Sequence, residues 1–286
     1  MIPNWMRAAG AALLLTPVAA SANSEIRIGW TAWADAELVT RVAERLITEH
    51  YGTDVELVQT DIAPQYTGVA RGDLDLMLMS WQPLTHEDYI ERYGDDMLDL
   101  GVLYGNARLG WIVPRPLYEE GLTSIEQLTE SRWRDRLGAT IQGIDPGAGL
   151  TRLSRQAIED YDLGYDLIEA SDAAMTASLD RAARRDQAIV VTGWSPHWKF
   201  GAYNLEFLDD PKGALGDAEE IHAMGRLGFD EDHPEIARFV GCMEFDIELL
   251  NDYLFIGRDE STEAAVQRFL DEETDLIDDW LSCAAE

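Results

Sequence analysis

Leu74-Asp75-Leu76-Met77-Leu78-Met79 constrains this chain more than any other stretch. It is nearly all apolar, the pattern of a strand covered on both faces. Such a strand belongs inside a parallel sheet, with helices packed above and below it. The residues before it agree. Glu25–Trp30 alternates polar and apolar side chains as a strand does, and Asp35–Tyr51 carries Leu38, Val39, Val42, Leu46 and Ile47 at helical spacing before Gly52. Val55–Val58 is a second strand, and Pro64–Arg71 is a short helix closed by Gly72. The order strand, helix, strand, helix, strand predicts a parallel sheet with helices on its faces.

After a helix expected over His86–Tyr93, Leu109–Val113 reads as a strand stopped by Pro114 and Pro116, and a second α/β unit follows. Ser124–Leu128 opens a helix, Ala139–Gln142 is a strand and Gly149–Asp160 a helix. Leu167–Ile168 and Ala188–Thr192 are further strands, with a long helix over Ser171–Arg185 between them. Beyond Pro211 the pattern is mostly helical, over about Pro234–Cys242, Ile247–Tyr253, Thr262–Leu270 and Thr274–Cys283. A chain of 286 residues with 46% hydrophobic content is long enough for two modest domains with cores. The expected organisation is a bilobed α/β protein with a ligand cleft between its lobes. Residues 1–22 form a leader, 23–108 the first part of lobe 1, 109–208 lobe 2, and 209–286 the return to lobe 1 with the C-terminal helices. Crossings between lobes are expected near residues 105–112 and 205–225.

The leader reads as a secretory signal. Arg7 supplies the positive region, Ala8–Val18 the apolar core, and Ala20-Ser21-Ala22 a small-residue cleavage site. The apolar run is too short for a membrane span, and no Cys near the cleavage site offers a lipid anchor. The mature chain is expected to begin near Asn23, soluble outside the cytoplasm and most simply in a periplasm. A formal charge of −32 argues against nucleic acid or an anionic membrane surface as a partner. In an oxidising compartment the two cysteines, Cys242 and Cys283, read as a disulfide, the alternative being two buried thiols.

Three strand ends carry tryptophan: Gly29-Trp30-Thr31-Ala32-Trp33, Ser80-Trp81-Gln82-Pro83, and Gly193-Trp194-Ser195-Pro196-His197-Trp198. Open α/β sheets bind ligands at the carboxyl ends of their strands. A quaternary ammonium donates no hydrogen bond, and indole faces hold it through the ring quadrupole at roughly 0.5–2 kcal/mol per contact. Trp33, Trp81 and Trp194 together would bring a small methylated cation toward micromolar affinity, near about −8 kcal/mol. Gly143-Ile144-Asp145-Pro146-Gly147-Ala148-Gly149-Leu150 links a strand to a helix. Its glycines allow close backbone approach and the helix start offers free amides to an anion, here a single carboxylate. His86, five residues after Trp81, is placed to donate a hydrogen bond to the same carboxylate. His197 is expected to brace the Trp194 loop. There is no nucleophile elbow, no metal-ligand spacing and no phosphate loop, so no catalytic residue, metal or cofactor is expected.

These motifs resemble the OpuAC-like family of glycine betaine/proline betaine-binding proteins of ABC importers, over residues 25–283. The resemblance rests on Gly-Trp-Ser-Pro-His-Trp, Ile-Asp-Pro-Gly-Ala-Gly-Leu, Ser-Trp-Gln-Pro-Leu-Thr-His and Ser171-Asp172-Ala173-Ala174-Met175, in that family's order. Leu208-Asp209-Asp210-Pro211-Lys212-Gly213 and Ala218-Glu219-Glu220-Ile221-His222 extend it. It implies a type II periplasmic-binding-protein fold, a trimethylammonium box of Trp33, Trp81 and Trp194, and carboxylate contacts from His86 and the amides of Gly149 and Leu150. Trp30 would be a fourth wall. Choline-binding relatives carry Asp where this chain has Ala32 and Asn where it has Ala148, which points to a zwitterion instead. The implied partners are a small-molecule ligand and a membrane permease, with the chain itself a monomer.

Overall fold

The apolar strand is buried along nearly its whole length as β3 (Leu76–Gln82). In the computed structural model, which describes residues 25–286, it lies between parallel β1 (Ile26–Trp30) and antiparallel β9 (Glu219–Arg226). β1 pairs in parallel with β2 (Val55–Gln59) on its other side. The crossovers are α1 (Ala34–Leu46) and α2 (Ile62–Arg71). Each ends where glycine adopts the left-handed conformation, Gly52 at φ 63° (after a π turn, Ile47–Tyr51) and Gly72 at φ 74°. α1 buries Leu38, Val39, Val42, Ala43 and Leu46. Each fully buried leucine or valine among these contributes about 1.5–3 kcal/mol.

The chain is bilobed, and one strand belongs to both lobes. After α3 (Glu87–Tyr93), β4 runs from Met97 to Pro114. Its first part pairs with β9, from Met97 opposite Arg226 to Ala107 opposite Glu219. From Arg108 onward it pairs with β7 (Val191–Ser195), and its end also pairs with β8 (Leu205–Phe207). Sequence reading finds only Leu109–Val113 of this strand. The earlier half is masked by Asp99, Gly101, Gly105 and Asn106, and the ladder is irregular there, with Gly101 at φ 138° and Asn106 at φ 57°.

The second lobe continues through α4 (Arg115–Glu119), α5 (Ser131–Leu137), β5 (Thr140–Gln142), α6 (Gly149–Asp160), β6 (Asp166–Ile168), α7 (Asp172–Ala183) and, after β7, α8 (Lys199–Ala202). β5 lies parallel to both β6 and β7. The last strand was expected over Ala188–Thr192 but forms over Val191–Ser195. Trp194 is therefore inside the ladder, opposite Leu109, because β4 supplies a partner that periodicity alone does not reveal.

Beyond Pro211 the helical reading omits β9, whose Glu219–Arg226 run is buried at alternate positions over its first half. The remaining elements are helical: α9 (Phe229–Asp232), α10 (Pro234–Cys242), α11 (Ile247–Asp259), α12 (Thr262–Glu272) and α13 (Thr274–Ala284). They pack against α1 and β4 of the first lobe. Cys242 and Cys283 are bonded, tying α13 to α10, and Arg238 Nε donates to the Ala284 carbonyl at 2.9 Å. The leader at residues 1–22 lies outside the described residues. Among the described residues no helix is long and apolar enough to cross a membrane.

Candidate ligand-binding site

Trp33 is the residue that caps α1, Trp81 is the penultimate residue of β3, and Trp194 is the penultimate residue of β7. Two lobes thus deliver three indoles to one place. They are 5%, 4% and 4% exposed, and they line one cavity together with His86, Ala148, Gly149 and Leu150. The rings of Trp33 and Trp194 stand 6.3 Å apart at 58°. A tilted pair of this kind presents two faces to a compact, rounded group.

One expected ligand contact is placed elsewhere. Trp30 is the last residue of β1 and its ring takes the Arg41 guanidinium of α1 at 5.6 Å. Strand alternation turns it under the helix, away from the cavity that Trp33 reaches after the chain has turned. His197 sits behind Trp194, edge-on to the indole at 4.8 Å. Its Nε2 meets Asp172 at 3.3 Å and its Nδ1 accepts the Lys199 backbone N–H at 3.1 Å. It is a buttress, with no face toward the ligand space.

His86 is buried, and its Nδ1 accepts the backbone N–H of Trp81 at 3.1 Å. The neutral ring then carries its proton on Nε2 as a donor. Burial, with Arg152 nearby, pushes its pKa down to about 3, so the ring stays neutral at physiological pH. The loop bearing it is pinned from β9: Glu219 accepts the backbone N–H groups of Leu84 and Thr85 at 2.6 and 2.9 Å, and the Thr85 hydroxyl as well.

The opposite wall is the start of α6. Thr151 and Arg152 turn their N–H groups back to the Ala148 carbonyl, which leaves the Gly149 and Leu150 amides unengaged among the described residues. Free amides at the positive end of a helix dipole suit a carboxylate. Gly149 has no room for a side chain, since a Cβ there would stand 2.0 Å from the Thr85 carbonyl oxygen.

The lobes are closed on each other, and the cage residues take part in the closure. Trp33 of the first lobe donates its indole N–H to Asp145 of the second at 2.9 Å, and Trp194 of the second donates to Asp35 of the first at 3.1 Å. Arg152 donates to the Leu84 carbonyl at 2.8 Å and pairs with Asp88 at 3.3 Å, while Tyr89 donates to the Gly147 carbonyl at 2.8 Å. Asp35 is fully buried beneath the cage and also accepts from Tyr104 at 2.9 Å. Burial raises its pKa to about 6, with the Tyr104 and Trp194 hydrogen bonds opposing. Sequence reading missed Asp35, Asp145, Thr85, Glu219 and the apolar wall of Leu109 and Ile144. Asp145 and Ile144 lie in the glycine-rich turn and Thr85 and Glu219 in other motifs quoted above, whereas Asp35 carried no such signal. No group of residues suited to a metal ion occurs among the described residues.

Residues 24–272 match the family model of the substrate binding domain of the ABC-type glycine betaine transport system. Over 150 residues the chain is 37% identical to the glycine betaine/carnitine transport binding protein of Listeria monocytogenes, an alignment covering 51% of this chain and 50% of that one. It is 24% identical over 270 residues to the glycine betaine/proline betaine-binding periplasmic protein of Salmonella typhimurium, covering 82% and 80%. The matched stretch thus spans half of the Listeria protein's length. Among solved structures, lactococcal OpuAC in its closed-liganded conformation with glycine betaine superposes with a TM-score of 0.83 at 30% identity, covering 90% of this chain and 99% of that one.

Proposed function

Because this chain belongs to the substrate-binding domains of ABC-type glycine betaine transport systems, we propose that it captures glycine betaine or a closely related methylated zwitterion. The trimethylammonium group enters the box of Trp33, Trp81 and Trp194. The carboxylate takes the amides of Gly149 and Leu150 and the Nε2–H of His86. The observation that carries this reading is the cavity itself, where three indoles face a helix start across the closed lobes. One end offers indole faces, and the other offers the amide donors of a helix start beside His86.

Lobe closure follows from differential affinity. A ligand touching Trp33 and Trp81 on one lobe and Trp194 and Gly149 on the other stabilises the closed form over the open one. The closed protein then hands its ligand to the membrane permease of an ABC importer. The chain acts without turnover, as a monomer, in the periplasm. By name the Listeria relative is a transport binding protein and the Salmonella relative a betaine-binding periplasmic protein, which supports the non-enzymatic role.

Calorimetry against glycine betaine, proline betaine, carnitine, trimethylamine N-oxide and choline tests the proposal. The expected result is one site, with glycine betaine or proline betaine tightest. Trp33→Ala, Trp81→Ala and Trp194→Ala should each weaken binding at least tenfold, about 1.4 kcal/mol. Choline binding as tightly as glycine betaine, or two of the three variants keeping parental affinity, would overturn it.

A further inference from the structure

Of the 22 Lys and Arg residues only Lys199 and Lys212 are lysines. Lys199 has no exposed surface. Its ammonium stands 3.9 Å from the centroid of the Trp194 ring. An approach in the ring plane would stop farther out, at the ring's own edge, so the ammonium lies over a face. No hydrogen-bond acceptor among the described residues reaches Nζ. The nearest carboxylate oxygen is Asp172 Oδ1 at 4.0 Å, and Asp172 is shared with His197. One indole of the cage therefore already holds a cation, whose ion pair with Asp172 is long at 4.0 Å.

We propose that Lys199 is a specificity-determining residue of the cage: a resident ammonium behind Trp194 that disfavours net-cationic ligands more than zwitterions. This inference rests on the reading of the site given above. A quaternary ammonium at the cavity side of Trp194 shares the ring's electron density with Lys199 and feels its charge across the indole. A zwitterion offsets that repulsion with its own carboxylate, whereas choline, bearing a hydroxyl there, has nothing to offset it. Specificity of this kind comes from what the site repels as well as from what it attracts. Two unit charges on opposite faces of one indole, at a protein-like effective dielectric, interact strongly enough to change an affinity about tenfold.

The same groups settle how pH acts. Lys199 is faced by Asp172 of α7, His197 of the preceding loop and, more weakly, Asp35 of α1, which is hydrogen-bonded to Tyr104 of β4. Burial pulls the Lys199 pKa down to about 8, against the attraction of Asp172 and Asp35. Burial works to raise Asp172, but His197 and Lys199 hold it below the usual carboxylate range. Burial lowers His197 to about 4, and burial beside Asp35 holds Tyr104 well above 10. Between pH 7 and about 9.5 Lys199 is the member of this cluster that loses its charge.

The test is the ratio of choline to glycine betaine affinity, measured by calorimetry or by displacement of bound betaine. Lys199→Met should raise choline affinity about tenfold, ~1.4 kcal/mol, and glycine betaine affinity less than threefold, so the ratio narrows. In the parent protein the ratio should narrow between pH 7 and about 9.5, and in Lys199→Met it should stay flat. Should the single variant fail to fold, Lys199→Met/Asp172→Asn removes both buried charges and carries the same expectation. A ratio unmoved by substitution and by pH refutes the role of Lys199 while leaving the betaine site intact. Parent protein that binds no methylated ammonium at all refutes the underlying reading of the site.

Discussion

Gly149→Ala separates closure from folding more cleanly than any change in the cage. Gly149 is the first residue of α6 and its φ is not in the left-handed region, so alanine suits its backbone and favours the helix. The new methyl group, however, would meet Thr85 of the other lobe, 2.0 Å from its carbonyl oxygen, 2.6 Å from Cγ2 and 2.8 Å from the carbonyl carbon. Two of those atoms are backbone and cannot swing aside. The closest approach is well over an ångström short of the 3.4 Å at which ordinary contact begins, so the lobes must separate there. The hydrogen bonds that span the lobes, Trp33 to Asp145 at 2.9 Å and Arg152 to Leu84 at 2.8 Å, have little length to spare. Bonds to charged groups are worth roughly 1.5–3 kcal/mol each. Losing one or two costs about 3 kcal/mol, which weakens ligand binding on the order of a hundredfold. Calorimetry with glycine betaine measures that loss, and a thermal melt of the unliganded protein should show an unchanged or slightly higher Tm. Affinity within threefold of the parent would refute the reasoning, and so would a binding loss that merely tracks unfolding.

The indole–aspartate exchange is tested by a double-mutant cycle: Trp33→Phe and Asp145→Ala should each weaken betaine binding several-fold, and the double variant should cost less than the two combined. Full additivity would mean the 2.9 Å contact carries no coupling. Reducing the Cys242–Cys283 bond, which closes a loop of sequence separation 41, should lower stability by roughly 3–4 kcal/mol on the chain-entropy model while leaving betaine affinity within twofold. Reduced protein with an unchanged melt would argue against a structural bond. Stability should also depend on pH through the buried histidines and Asp35. His86 and His197 are lowered by burial from 6.5 to about 3 and about 4, so their contribution is present above 6.5 and lost as pH falls through those values. Burial raises Asp35 from 3.8 to about 6, so its contribution is present below 3.8, is lost as pH rises through 6, and opposes the histidines. Asp35→Asn should therefore steepen the rise of denaturation free energy between pH 4 and 6, and an unchanged slope would mean Asp35 titrates as an ordinary carboxylate.

Local pattern in the sequence determined a good deal of this protein. The alternation of strand and helix over residues 25–82, the helices closed by Gly52 and Gly72, and the tryptophans at strand ends all follow from periodicity and turn chemistry within a few residues. Burial on a helix or strand is written at a spacing that a single segment displays by itself. What depends on a distant partner is not written there. Met97–Gly105 became strand because β9 lies beside it, and Trp194 moved inside a ladder because β4 does. Trp30 left the expected cage because the direction of its ring is set by α1, while Trp33, only a turn later, reached the cavity. Most of all, the tertiary structure decided what stands behind the cage. Asp145 meets Trp33 across 112 residues and Asp35 meets Trp194 across 159, both through hydrogen bonds that exist only when the two lobes face each other. A buried lysine over an indole is likewise invisible in sequence, where Lys199 looks like any solvated cation after an aromatic. Only the packed interior removes its water and leaves it the ring face and a carboxylate at 4.0 Å.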